Sequence, residues 1–165
     1  MKNFKGEKFP RIKVIKKFNK KIKVIKKHIV NRQTVQEVLT NPKKNIPPKS
    51  GAYFFYNTEE NKIVYIGISR NIKSRLQQHI NHKSSLSASL AYLMAKDELK
   101  NKTVTEIKAC FEKTNSEKNC RKKHQNKIKQ FKVAFHEFDN NFELALFEIY
   151  ASIKLESKWN SFKTH

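Results

Sequence analysis

Four side chains in the first half of this sequence have the types and the spacing that phosphodiester cleavage needs. Tyr53 and Tyr65 each lie two residues from a glycine, in short segments rich in aromatic and β-branched residues. Arg75 and His79 are four residues apart, so a helix would place both on one face. A guanidinium binds phosphate oxygens in a bidentate manner, while phenols and imidazoles transfer protons. These groups suggest a site that binds and hydrolyses a phosphodiester.

A fifth candidate, Glu148, lies in the run 144–151, which carries no other charge. On a helix, this carboxylate is expected to be at least half buried. Burial of a carboxylate is unfavourable unless it is paired or binds a metal ion. Two interpretations stay open, a salt bridge to Arg75 or a lysine and a metal ligand. The tyrosines also have a structural alternative, because aromatic residues in strands usually pack in a core.

Hydrophobic patterns predict the elements that position the first four groups. The sequence predicts a hairpin of two strands, residues 52–56 and 63–66, joined by a polar turn and ended by Gly67. An amphipathic helix follows, because apolar residues recur every four positions through Arg75 and His79. Its expected N-cap is Ser69 or Asn71.

The second half of the chain adds a third strand and several helices. Its predicted elements are a helix at 86–98 after a serine cap at 84–85, a helix at 116–128, a strand at 132–138, a helix at 142–155 and an extended tail at 156–162. The helix at 142–155 carries Glu148. A catalytic site that includes this residue would therefore join distant parts of the chain.

The N-terminal part of the chain is strongly basic. The chain has 36 Lys and Arg against 14 Asp and Glu, a net charge of +22, and 16 of the basic residues lie in positions 1–50. The near-repeat of 12–17 and 22–27 fits a helix face or a hairpin, and its β-branched residues favour the hairpin. A short helix is predicted at 34–39, capped by Asn31 or Thr34. We predict a basic N-terminal extension over 1–46 and a main domain over 47–165.

The excess positive charge indicates a polyanionic partner, because lysines and arginines that neutralise phosphates release counterions. A solvated lysine face is the alternative. The expected nucleic-acid contacts are Lys16, Lys17, Lys26, Lys27, Arg70, Lys73, Arg121, Lys122 and Lys123. The chain shows no signal peptide and no apolar run of membrane length, so we expect a cytoplasmic protein. Cys110 and Cys120 lack the companions of a zinc site.

The ordered set of motifs resembles the GIY-YIG nuclease family. Gly51-Ala52-Tyr53 and Tyr65-Ile66-Gly67 correspond to the two tripeptides that give the family its name. Four further residues follow in order, namely Arg75, His79, Glu148 and a late Asn160. The resemblance covers residues 51 to about 160. Two positions depart from the pattern: Ala52 replaces the usual Ile or Val, and Ile68 follows the second tripeptide where many relatives have lysine.

The resemblance implies an α+β fold with a small central three-stranded antiparallel sheet flanked by helices. It also implies hydrolysis of DNA with one divalent metal ion, Mg²⁺ or Mn²⁺, and no small-molecule cofactor. Glu148 would be the metal ligand, Tyr53 or Tyr65 would help to activate water, and Arg75 would stabilise charge on the phosphate. His79 would assist proton transfer. Asn160 would hold the surroundings of the glutamate or the phosphate side of the site.

The resulting prediction is a metal-dependent DNA endonuclease of the repair-like, restriction or stand-alone kind. A non-catalytic basic module on a nuclease scaffold is the main alternative, and a structural protein of the ribosome or nucleoid is another. The first alternative is weaker because no expected catalytic side chain is missing from the sequence. The second explains the charge but not the paired glycines and tyrosines.

Overall fold

A computed structural model describes residues 11–41, 46, 49–112 and 120–160. It contains seven helices and three strands within these ranges. In chain order they are α1 Arg11–Ile29, α2 Val35–Thr40, β1 Gly51–Asn57, β2 Lys62–Ser69, α3 Ile72–Asn81, α4 Ser89–Glu98, α5 Val104–Glu112, α6 Cys120–Gln130, β3 Lys132–Glu137 and α7 Asn141–Lys154. None of these helices is long and apolar enough to cross a bilayer.

The three strands form one antiparallel sheet in the order β2-β1-β3. The central strand β1 is buried along its whole length. Within it, Tyr53 is paired with Gly67 on one side and with Phe135 on the other. The predicted α+β fold with a central three-stranded antiparallel sheet is confirmed.

Helices cover both faces of the sheet, because alternate residues of β1 point to opposite sides. Tyr53 and Phe55 face a core built with α2 to α6. Phe54 and Tyr56 face a second core built with α1 and α7. The helix that carries Arg75 and His79 therefore lies on one side of the sheet, and the helix that carries Glu148 lies on the other.

The preference for a hairpin in the basic N-terminal region was wrong, because residues 11–29 form the helix α1. Phe18, Ile22, Ile25 and Ile29 recur at spacings of three and four and are buried against the sheet. A two-residue strand period would have divided these apolar side chains between two faces, whereas the helical period gathers them on one. Tertiary packing thus outweighs the strand preference of the β-branched residues.

Local hydrogen bonds fix several element ends. Thr34 forms a capping box with Glu37 at the start of α2, and Asn71 caps α3 by accepting from the N–H of Ser74. β2 continues past Gly67 to Ser69, so the expected strand end at that glycine was wrong. α4 begins at Ser89, later than predicted, because residues 84–88 form turns.

The tail differs from the expected extended segment. Glu156 has a φ of 49°, in the left-handed region, and turns occupy the residues around it. The predictions for 1–10, for the start of the helix at 116–119 and for 161–162 lie outside the described residues.

Candidate active site

The close approach of β1 and β2 at Gly67 shapes the centre of the site. A Cβ atom at Gly67 would overlap the hydroxyl group and the adjacent ring carbon of Tyr53. Because Gly67 is the paired residue of Tyr53, the phenol ring lies directly over its backbone. The absence of a side chain at this position therefore lets Tyr53 reach across β2.

Tyr53 makes a buried hydrogen bond with His79. The phenol oxygen and the Nε2 atom of His79 are 2.7 Å apart, and both side chains are almost completely buried. Burial, reinforced by the charge of Arg75, lowers the pKa of His79 to about 3. The imidazole is therefore neutral at physiological pH, and its Nδ1 atom has no hydrogen-bond partner in the described part of the chain.

The two tyrosines differ in exposure. Burial raises the pKa of Tyr53 well above its ordinary value, the Tyr65 phenol raises it further, and the Arg75 charge partly opposes both. Tyr53 is therefore a neutral phenol shielded from solvent. Tyr65 is half-buried, with its ring centroid 6.1 Å from that of Tyr53 and 5.6 Å from that of His79. Tyr65 is thus the phenol of this pair that solvent can reach.

Arg75 is held in place by hydrogen bonds that the sequence did not reveal. Its Nη1 atom donates to the side-chain oxygen of Gln78 at 3.0 Å and to the carbonyl oxygen of Ser87 at 2.8 Å. Its Nη2 atom donates to the hydroxyl of Ser89 at 2.8 Å. A guanidinium has five N–H donors, so at most two remain for a phosphate. Gln78 of α3, the turn before α4 and the first residue of α4 therefore fix the orientation of Arg75.

Glu148 lies at mid-length on α7, which packs against β2 and β1. Its side chain is half-buried, and burial raises the pKa of its carboxyl group. No hydrogen bond or ion pair to this carboxylate is found within residues 11–41, 49–112 and 120–160. The alternative of a salt bridge to Arg75 or to a lysine of these ranges therefore does not hold.

The surroundings of Glu148 fit a weakly coordinated divalent cation. The described residues contain no cluster of three His, Cys, Asp or Glu side chains that could hold a metal ion. Mg²⁺ does not need such a cluster, because it usually keeps several waters and binds one or two carboxylates together with substrate phosphates. A lone, partly desolvated carboxylate is consistent with this mode of binding.

Asn160 holds the strand that carries the second tripeptide. Its amide nitrogen donates to the carbonyl of Ile66 at 2.6 Å, and its amide oxygen accepts from the N–H of Ile66 at 2.8 Å. The hydroxyl of Ser157 donates to the same oxygen at 2.9 Å. β2 is an edge strand, so its outer backbone groups have no neighbouring strand among the residues that the structure describes. At Ile66 the Asn160 side chain supplies the hydrogen bonds that a fourth strand would make. In this conformation Asn160 acts on the backbone between Tyr65 and Gly67.

The basic residues predicted to contact nucleic acid have different environments. Eight of the nine are exposed or partly exposed, but Lys17 pairs with Glu143 and Lys123 with Glu98. The prediction for Arg121 was wrong, because this side chain is only 4% exposed. Its guanidinium donates to the carbonyl oxygens of Phe111 and Lys83, so it joins α6 to neighbouring segments.

The structure thus brings Tyr53, Tyr65, Arg75 and His79 together, with Glu148 on the helix layer across the sheet. Sequence reasoning missed Gln78, Ser87 and Ser89. Gln78 lies three residues after Arg75, a spacing at which helical side chains meet, and this was a usable signal. The serines are 12 and 14 residues from Arg75, and no sequence pattern links them to it.

A comparison with protein-family models agrees with this geometry. The model of the GIY-YIG catalytic domain matches residues 16–150, most of the chain, so the protein belongs to the GIY-YIG family. The matched region begins inside α1 and includes Glu148. No curated protein and no solved structure matches the chain closely enough to be compared with it. Family membership indicates a nuclease, and GIY-YIG nucleases generally use divalent metal ions.

Proposed function

We propose that this protein is a metal-dependent DNA endonuclease that hydrolyses phosphodiester bonds. The observation that carries the proposal is Glu148, a half-buried carboxylate without a hydrogen bond or ion pair in the described residues. A bound cation would stabilise such a partly desolvated carboxylate. The net charge of +22 supports a polyanionic substrate.

Glu148 would hold one Mg²⁺ or Mn²⁺ ion, with water and a substrate phosphate as further ligands. When bound, the ion lowers the pKa of a coordinated water and stabilises the leaving oxyanion. The hydrophobic packing of α7 against the sheet keeps the carboxylate in a fixed position. Its partial burial strengthens its attraction for a cation, because fewer waters screen it.

Arg75 would bind the oxygens of the scissile phosphate. Three hydrogen bonds to Gln78, Ser87 and Ser89 orient its guanidinium before substrate arrives. Catalysis benefits from donors that are already oriented, because they need no reorganisation when charge develops. The remaining donors are suited to the phosphate.

The two tyrosines would have different roles. Tyr65, which solvent reaches, would contact the attacking water and take part in its deprotonation. An ordinary tyrosine, with a pKa of about 10, acts as a base near neutral pH only when cations lie close to it. Arg75, whose charge acts on the neighbouring Tyr53 and His79, would supply this positive charge. Tyr53 would stay protonated in its buried position, where it is hydrogen-bonded to His79.

His79 would be a positioning residue. Its pKa of about 3 keeps it neutral at physiological pH, so it does not supply an imidazolium proton. Its hydrogen bond to the Tyr53 hydroxyl fixes the phenol that lies over Gly67. This role differs from the expected assistance in proton transfer.

A cleavage assay tests the proposal. Labelled single- and double-stranded DNA is incubated with wild-type protein in Mg²⁺ or Mn²⁺ and in excess chelator, beside Glu148→Ala and Arg75→Ala. We expect cleavage by wild type with metal only, and at least a 100-fold slower reaction for each variant. Wild-type protein that binds DNA but never cuts it, indistinguishable from both variants, would contradict the proposal.

A further inference from the structure

One face of α1 carries a continuous stripe of lysines. Lys13, Lys16, Lys20, Lys23 and Lys27 recur at spacings of three and four, so they lie along one side of the helix. All five are exposed, and they lie on the side opposite to the buried Phe18, Ile22, Ile25 and Ile29. At 1.5 Å per residue the stripe is about 21 Å long. We call this set of five residues the lysine stripe.

The lysine stripe is not an ordinary solvated helix face. Solvated faces usually mix charges of both signs, whereas α1 contains no acidic residue. None of the five lysines has an ion pair within the described residues. Like charges at spacings of three and four destabilise a helix. A bound polyanion would remove this repulsion.

α1 is fixed to the helix that carries Glu148. Phe18 packs edge-on against Phe147, with ring centroids 5.1 Å apart. Lys17 forms an ion pair with Glu143 at 2.7 Å, and the Tyr150 hydroxyl donates to Asn19 at 2.9 Å. Phe147 is the neighbour of Glu148 in sequence. The lysine stripe therefore has a defined position relative to the proposed metal ligand.

A basic groove continues the positive surface at the C-terminal end of α1. This groove, of about 420 Å³, lies between α1, the turn that joins β1 and β2, and the end of α7. Three lysines line it, namely Lys26 of α1, Lys62 at the start of β2 and Lys154 at the end of α7, and Glu156 lines it as well. Lys62 is paired with Glu60, and no partner of Lys26 or Lys154 is found in the described ranges.

We propose that the lysine stripe and this groove bind the sugar-phosphate backbone of duplex DNA beside the scissile bond. This inference rests on the proposed function for its substrate class. Phosphates follow one another at a rise of 3.4 Å along each strand, so the stripe spans roughly six of them. Lysines without planar recognition groups bind phosphates as point charges, and base sequence does not affect such contacts. The lysine stripe and the groove hold the duplex on the enzyme whatever the base sequence of the DNA.

The test compares two triple variants with equal loss of charge. The first is Lys16→Gln, Lys20→Gln and Lys23→Gln in the lysine stripe. The control is Lys96→Gln, Lys100→Gln and Lys108→Gln, exposed lysines of the helix layer on the other side of the sheet. Glutamine keeps helix propensity close to that of lysine. Circular dichroism and thermal melting verify that both triples fold.

Binding of a 30-base-pair labelled duplex is measured in chelator between 50 and 200 mM salt. Each phosphate contact contributes about −0.9 to the slope of log K against log salt. We expect the stripe triple to lose about 2.7 of this slope, so the decline of affinity over this range shrinks by about 40-fold. The control triple keeps the wild-type slope within 0.5, and duplexes of unrelated sequence give the same result.

Equal slopes for the two folded triples would overturn the inference, as would loss of slope with duplex RNA but not with duplex DNA. Cleavage of the same duplex in Mg²⁺ separates this inference from the proposed function. Wild-type protein that binds through the stripe and never cuts contradicts only the nuclease proposal. Wild-type protein that cuts, with equal slopes for the triples, contradicts only the role of the stripe.

Discussion

The substitution Gly67→Ala tests whether the site depends on the close approach of Tyr53 to β2. The added methyl group would overlap the Tyr53 hydroxyl and its adjacent ring carbon. Neither side can move freely, because the two residues are paired across the strands and Tyr53 is 1% exposed. Overpacking of this kind typically costs about 1–3 kcal/mol. For a chain of this length, the melting temperature should fall by roughly 2–12 °C.

The assay is a double-mutant cycle measured by denaturant unfolding. Tyr53→Leu removes the hydroxyl and the outer half of the ring, and therefore the atoms with which the new methyl group collides. In that background we expect Gly67→Ala to cost less than about 0.5 kcal/mol, so the two changes are strongly non-additive. Equal costs of Gly67→Ala in both backgrounds would refute the steric explanation and leave Gly67 with a backbone role only.

Three further predictions concern residues that position the site. Ser89→Ala removes one hydrogen bond to Arg75 and should lower kcat about 10-fold with little change in KM, and Ser89→Thr should retain most activity, as single-turnover kinetics would show. The neutral, buried His79 makes the folded state bind fewer protons than the unfolded state between pH 3 and 6.5. Stability should therefore fall by about 2 kcal/mol from pH 7 to pH 5, and urea unfolding of His79→Gln should lack this component. Asn160→Ala leaves the backbone N–H and C=O groups of Ile66 without their partner and should lower the free energy of unfolding by about 1–2 kcal/mol, whereas an unchanged value would show that the tail does not hold β2.

The parts of the fold that follow from local patterns were predictable from the sequence. β1 and β2 have dense aromatic and β-branched residues around a polar turn, and α7 has a clear apolar run. The spacing of residues along the chain was enough to predict these elements, because the residues that define each one lie within a single helix or a single hairpin.

Features that depend on tertiary contacts were not predictable in this way. α1 is a helix because its apolar face finds a second core against the sheet, and nothing within residues 11–29 reveals that surface. Arg121 appears in a basic run like its neighbours, yet the fold turns it inward to carbonyl groups of distant segments. Ser89 reaches Arg75 only because α3 and α4 pack together.

The measurement that tests the central claim most directly is the single-turnover rate of DNA cleavage by Glu148→Gln in Mg²⁺. Glu143→Gln is the matched control, since it changes the other carboxylate of α7. Glu143 pairs with Lys17, whereas Glu148 has no partner among the described residues. We predict that Glu148→Gln stays folded, melts no lower than wild type because a partly buried charge is removed, and cuts about 10³-fold more slowly, a change of ~4 kcal/mol. Glu143→Gln should cut within about threefold of wild type. A Glu148→Gln protein that cuts at the wild-type rate would contradict the account.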